Sequence, residues 1–110
     1  MRILLDECVP KRFARHLSPH EVLTVNELEW SGKKNGVLLT TMEEAQISVL
    51  LTVDKNLQYQ QNLGKFQVAV LVLDAQTNRL RDLIPFAPLV LQTLANLTIG
   101  QVVVLSLETT

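Results

Sequence analysis

Cysteine is almost absent from the 110-residue chain: Cys8 stands alone, which excludes an internal disulfide and a zinc site built on cysteines. Two histidines, His16 and His20, are too few for a histidine-rich metal site and read as surface residues. Aromatic residues make up only 5%, so a core has to be built from Leu, Val and Ile. No stretch approaches the roughly 18 uninterrupted apolar residues that a membrane span requires, so no membrane partner is expected. Asp6 and Glu7 interrupt the apolar start MRILLDECVP before it reaches the length of a signal peptide's hydrophobic region, which points to the cytoplasm. Net charge is only −1, so nucleic-acid binding would have to come from a local basic patch rather than from the global field.

What is present is aliphatic. Hydrophobic residues make up 47% and charged residues 19%, as in a soluble globular domain on the apolar side. The length fits one domain over residues 1–110, large enough to fold without covalent staples.

Short apolar runs alternate with helical patterns. Ile3-Leu4-Leu5 reads as a buried strand that stops at Asp6-Glu7. Pro10 suits the first turn of a helix, and Val9, Phe13 and Leu17 recur every four residues as its apolar stripe. Ser18-Pro19 ends that helix, and residues 22–25 form a second strand. Asn35 is a candidate N-cap for a helix to about Gln46, with Leu38, Met42 and Ala45 on one face. Residues 48–53 form a strand apolar on both faces that ends in Asp54. Residues 55–66 are polar and amide-rich. Residues 68–73 form a strand that ends in Asp74. Residues 79–97 form a helical stretch divided by Pro85 and Pro88, and residues 102–105 a last strand. Strands apolar on both faces that alternate with helices predict an α/β domain in three layers, with a five-stranded, mainly parallel sheet covered on both faces.

Parallel strands bring their carboxyl ends to one edge, where ligands of open α/β sheets bind. Three predicted strands end there in acids: Asp6 with Glu7, Asp54, and Asp74. Clustered carboxylates repel unless a cation lies between them, and an all-oxygen set suits Mg²⁺ or Mn²⁺. Such an ion clamps a phosphodiester and activates water, so the pattern points to metal-dependent phosphate chemistry. Asp is also a common turn residue, and each acid taken singly has that plain reading; Asp6 and Asp54 taken together point to function, whereas Asp74 alone points to a turn. Glu7 fits three roles equally: a ligand, a neighbour of a ligand, or an acid at a helix start. Cys8 reads as a small packed residue, because no adjacent base would activate it. Lys11, Arg12, Lys34, Lys55 and Arg79 are the candidates to hold a nucleic-acid backbone by its phosphates, with Arg15, Lys33 and Arg81 nearby. Trp30 and Tyr59 lie in loops, where they would stack on bases, cap the core or meet a partner subunit.

The start M-R-I-L-L-D-E followed by a proline-led basic helix, then H-E-V-L-T-V, S-G-K-K-N-G, V-L-L-T-V-D-K-N-L and V-A-V-L-V-L-D-A-Q-T-N-R-L, resembles the short PIN-like family found beside toxin–antitoxin genes, a branch of the PIN nuclease superfamily. The resemblance runs over nearly the whole chain. It implies metal-dependent RNA cleavage by a quartet of acids, with Mg²⁺ or Mn²⁺ as cofactor and RNA as substrate. It also implies a toxin role with a cognate antitoxin protein as partner. Asp6 matches the first-strand acid and Asp54 the acid after the third strand. Asn35 and Asn56 stand where relatives carry further acids; an amide oxygen ligates a metal but brings no charge. Glu43, Glu44 and Asp74 are the acids left to compensate.

Two other functional classes fit parts of the pattern. The first is a PIN-like module impaired in catalysis that binds RNA or a protein, which Asn35 and Asn56 favour. The second is a phosphoacceptor domain resembling response-regulator receivers, which also carry paired acids after the first strand and an aspartate after the third. Receivers want Ser or Thr after strand four and Lys after strand five, whereas here Asp74 and Leu105-Ser106-Leu107 stand there. A purely structural subunit is the third alternative. Leu89, Val90, Leu91 and Leu94 offer more apolar surface than one helix face needs, so a dimer is expected.

Overall fold

Each of the five apolar runs read as a strand forms one, with its ends within a residue of the expected ones. In a computed structural model, residues 1–33, 35–59 and 63–107 are described, without the side chains of residues 35, 58 and 59. The strands are β1 (Arg2–Leu5), β2 (Glu21–Thr24), β3 (Val49–Thr52), β4 (Ala69–Leu73) and β5 (Val102–Leu105). The α-helices are α1 (Asn35–Glu44), α2 (Leu80–Leu83) and α3 (Ala87–Leu94). Short 3-10 helices fill Lys11–Leu17, Lys55–Tyr59, Leu63–Lys65 and Ile84–Phe86.

All strand pairs are parallel and the order is β2-β1-β3-β4-β5. The chain therefore winds one way from β1 to β2 and the other way from β3 onward. The reversal lies between the adjacent strands β1 and β3. Every residue of β3 and β4 is buried, as expected of central parallel strands with both faces covered. Alternate residues feed two cores. Ile3, Leu5, Val49, Leu51, Leu71 and Leu73 pack with Phe13 and Leu17 of the first 3-10 helix and with Phe86, Val90 and Leu94. Leu4, Leu50, Val70 and Val72 pack on the opposite face with Leu38, Leu39 and Met42 of α1 and with Leu57 and Leu63. These two cores are the three-layer α/β arrangement that the sequence predicts.

The departures are local. The basic first helix is of 3-10 type, opened by Phe13 N–H donating to Pro10 O at 3.0 Å, yet its stripe of Val9, Phe13 and Leu17 is buried as expected. Pro85 and Pro88 each fall at the start of a new helical segment, where a missing N–H costs nothing, and so divide the last helix in three. The polar stretch after Asp54 folds into 3-10 turns because Leu57 and Leu63 have a sheet face to cover. Val90 and Leu94 are buried, and Leu89 and Leu91 are half-buried against the same core, so most of that helix's apolar surface is used within the chain. Among the described residues, no helix is long and apolar enough to cross a membrane.

Candidate functional site

The register of β1 and β3 decides which acids meet. Leu5 pairs with Leu51, and Asp6 N–H donates to Leu51 O at 3.0 Å, so Asp6 leaves the sheet beside the end of β3. The last residue of β3 is Thr52, whose side chain is fully buried. Its hydroxyl donates to Asp6 Oδ2 at 2.8 Å and accepts from the backbone N–H of Asp54 at 3.0 Å. A hydroxyl has one proton and two lone pairs, so both bonds are satisfied at once. The Cys8 Sγ lies 3.5 Å from the same hydroxyl and 3.8 Å from Asp6 Oδ2.

Each acid is also oriented by its own turn. Asp6 Oδ1 accepts the N–H of the next residue, Glu7, at 2.9 Å, and Asp54 Oδ1 accepts the Asn56 N–H two residues on at 3.0 Å, which is an Asx turn. Glu7 Oε1 accepts the Gly32 N–H at 3.4 Å, which ties the loop before α1 to the first acid pair. Asp6, Glu7, Cys8, Lys33, Leu38, Val53 and Asp54 line one open cleft of about 340 Å³. A second cleft of about 300 Å³ adjoins it on the β2 side and takes in Asp6, Glu7, Lys11, Thr24 and Glu27. Asp6 is half-buried, while Glu7 and Asp54 are exposed.

Asp74 is placed elsewhere. It forms an ion pair with Lys55 Nζ at 2.8 Å and accepts the Ser106 hydroxyl at 3.3 Å. The Lys55 hydrogen bond, then its charge, hold the Asp74 carboxyl below the ordinary carboxylate value; Ser106 adds less. Asp74 lines a different cleft, of about 300 Å³, with Gln76, Arg81, Asp82 and Phe86. The structure therefore places Asp6, Glu7 and Asp54 along the lining of one cleft and leaves Asp74 outside it.

The basic candidates divide in the same way. Lys33 and Lys11 line the two acidic clefts. Lys55 is turned toward Asp74. Arg79 is exposed beside Asn78, whose side-chain amide donates to Cys8 O at 3.1 Å and holds the loop after β4 against the acid site. Arg12 is exposed on the first 3-10 helix. Lys34 lies outside the described residues, as do the side chains of Asn35, at the start of α1, and Tyr59. Asn56 is exposed and its backbone serves Asp54. Trp30 is half-buried against the core on the α1 side, the capping role, and His16 stacks obliquely near Phe13 with ring centroids 6.3 Å apart. Among the described residues, no three His, Cys, Asp or Glu side chains gather into a group that could hold a metal ion.

Thr52 is the site residue that pattern reading passed over. Its signal was a hydroxyl closing an otherwise aliphatic run, two positions before an acid.

No family model, no curated protein and no solved structure matches the chain.

Proposed function

We propose that the chain is a PIN-like domain that hydrolyses RNA with a divalent ion, Mg²⁺ or Mn²⁺, bound between Asp6 and Asp54. One observation carries the reading: two acids from adjacent parallel strands line one cleft at the reversal point, with the Asp6 carboxylate and the Asp54 backbone N–H both bonded to the buried Thr52 hydroxyl. The donor set fits such an ion. Its carboxylate oxygens are hard ligands, and Mg²⁺ is commonly held by one or two carboxylates, retained waters and substrate phosphate. A bound ion would supply Lewis-acid activation of water and of the phosphodiester.

The chain's own residues do the rest. Thr52 keeps one Asp6 oxygen fixed, and the Asx turn does the same for Asp54. Lys33 and Lys11 offset the negative charge of the clefts and are placed to take phosphate oxygens, with Arg79 close to the loop that docks on Cys8. Asn35 and Asn56 lower the charge of the expected acidic set, so the RNA phosphate has to complete the ion's shell. In the setting that the resemblance implies, the chain would be the toxin of a toxin–antitoxin pair, cytoplasmic and held by an antitoxin protein.

The test is RNA cleavage with Mg²⁺ or Mn²⁺ by the wild type, Asp6→Asn and Asp54→Asn. Loss of activity on the order of 10²–10⁴-fold in each variant is expected. Equal rates in all three proteins reject the nuclease reading, and RNA binding without cleavage by the wild type moves the chain to a binding module.

A second reading has support in the strand order, which is that of the doubly wound sheets with their switch point between β1 and β3, receivers among them. Asp6-Glu7 and Asp54 sit where a phosphoacceptor site would need them. Against it, Asp74 follows β4, Ser106 and Leu107 follow β5, and Lys55 is engaged by Asp74. Labelling of Asp54 by a small phosphodonor is the result that would favour it.

A further inference from the structure

β5 closes one side of the sheet, and among the described residues its outer edge pairs with no strand. Its inner edge is fixed by Val70 N–H donating to Gln101 O at 3.0 Å and Asp74 N–H to Leu105 O at 2.8 Å. Both backbone groups of a strand residue point to the same side, and successive residues alternate. Gln101, Val103 and Leu105 therefore turn theirs toward β4, while Val102 and Val104 turn theirs outward.

Among the described residues, that outward edge lacks the usual protection. Native edge strands carry a Lys, a Pro, a bulge or a covering segment. From Leu83 to Leu107 the chain has no charged residue, and β5 has neither Pro nor a bulge in its pairing. Val104, Ile99 and Leu107, in and beside β5, are 41%, 47% and 41% exposed. The other edge strand differs: β2 begins with the exposed Glu21, which meets Arg2 at 3.5 Å.

We propose that the outer edge of β5 pairs with β5 of a second copy of this chain, antiparallel about a two-fold axis at Val103, to give one continuous sheet across two copies. The occupant follows from the symmetry. With the axis at Val103, Val102 lies opposite Val104 of the second copy, and the outward N–H and C=O groups of these two positions exchange hydrogen bonds in both directions. The exposed Val104 side chain then packs on Val102 of the second copy. Because the edge is uncharged, two identical edges meet without repulsion, whereas a foreign strand would find no charge to recognise. This pairing is independent of the chemistry proposed for the acidic cleft.

Sedimentation velocity at micromolar concentration, with hydrogen exchange read at single amides, tests it. The wild type is expected to sediment as a dimer and to protect the Val102 and Val104 amides, with protection falling on dilution. Val104→Lys is expected to sediment as a monomer with an unchanged circular-dichroism spectrum, while Val104→Thr stays dimeric. A monomeric wild type overturns the proposal. So does a dimer whose Val102 and Val104 amides exchange freely, which would place the contact elsewhere; this readout needs no variant to fold.

Discussion

Thr52 shows how much a single hydroxyl can organise. It is buried at the end of β3 and serves Asp6 and the backbone of Asp54 at once. Replacing it with Val keeps the shape and removes both bonds. Thr52→Val is expected to cost about 1–3 kcal/mol in chemical denaturation, with Thr52→Ser closer to the wild type; an unchanged midpoint in the Val variant would contradict this. Asp74 offers a second test, through pH. Its folded carboxyl is held below the ordinary 3.8 by Lys55, so the pair's contribution to stability is present above that value and is lost as pH falls through the lower folded value. Both partners are about half exposed, so the stabilisation is small and screened by salt. Titration of the Asp74 carboxyl by NMR is expected to show a depressed pKa that rises in Lys55→Met; no rise would contradict the pairing. Asp6 and Asp54 were legible because each ends an apolar run. Asp74 reads more plainly as a turn residue, but its ion pair was not legible, because it depends on where the 3-10 turn after β3 carries Lys55, which no spacing rule encodes. Thr52 was hidden because a β-branched residue reads as part of its strand.

The elements themselves were largely written in the hydrophobic pattern. β3 and β4 read as strands because both faces are apolar, and the prolines at positions 85 and 88 divided the last helix where each could open a new segment. Hydrogen-bond type was not legible: a stripe at Val9, Phe13 and Leu17 fits a helix of either kind. The glycines give a pair of opposite expectations. Gly36, in the first turn of α1, has open space where a Cβ would stand, so Gly36→Ala is expected to stabilise by about 0.5–1 kcal/mol. Gly100 turns the chain into β5 with φ at +90°, so Gly100→Ala is expected to destabilise by about 1–2 kcal/mol. Thermal melts of the two variants moving in the same direction would contradict this account of the turn.

At the scale of the whole molecule, the sheet order turns separate sequence signals into a site. Asp6 and Asp54 are far apart along the chain and become neighbours because β1 and β3 are adjacent and parallel. The alternation of strands and helices predicted the parallel sheet. It did not predict which strands are neighbours, and so could not say that Asp54, rather than Asp74, shares a cleft with Asp6. With a net charge of −1, the molecule has no global pull on RNA, and the few cations near the clefts carry that task in the proposed function. The proposal stands or falls on whether the two acids serve one ion. The direct measurement is an anomalous-scattering map from crystals soaked in Mn²⁺. The expected result is one Mn²⁺ in the cleft in contact with both Asp6 and Asp54, absent from Asp54→Asn crystals. A map with no peak there, the two carboxylates still held by Thr52, Glu7 and Asn56, would contradict it.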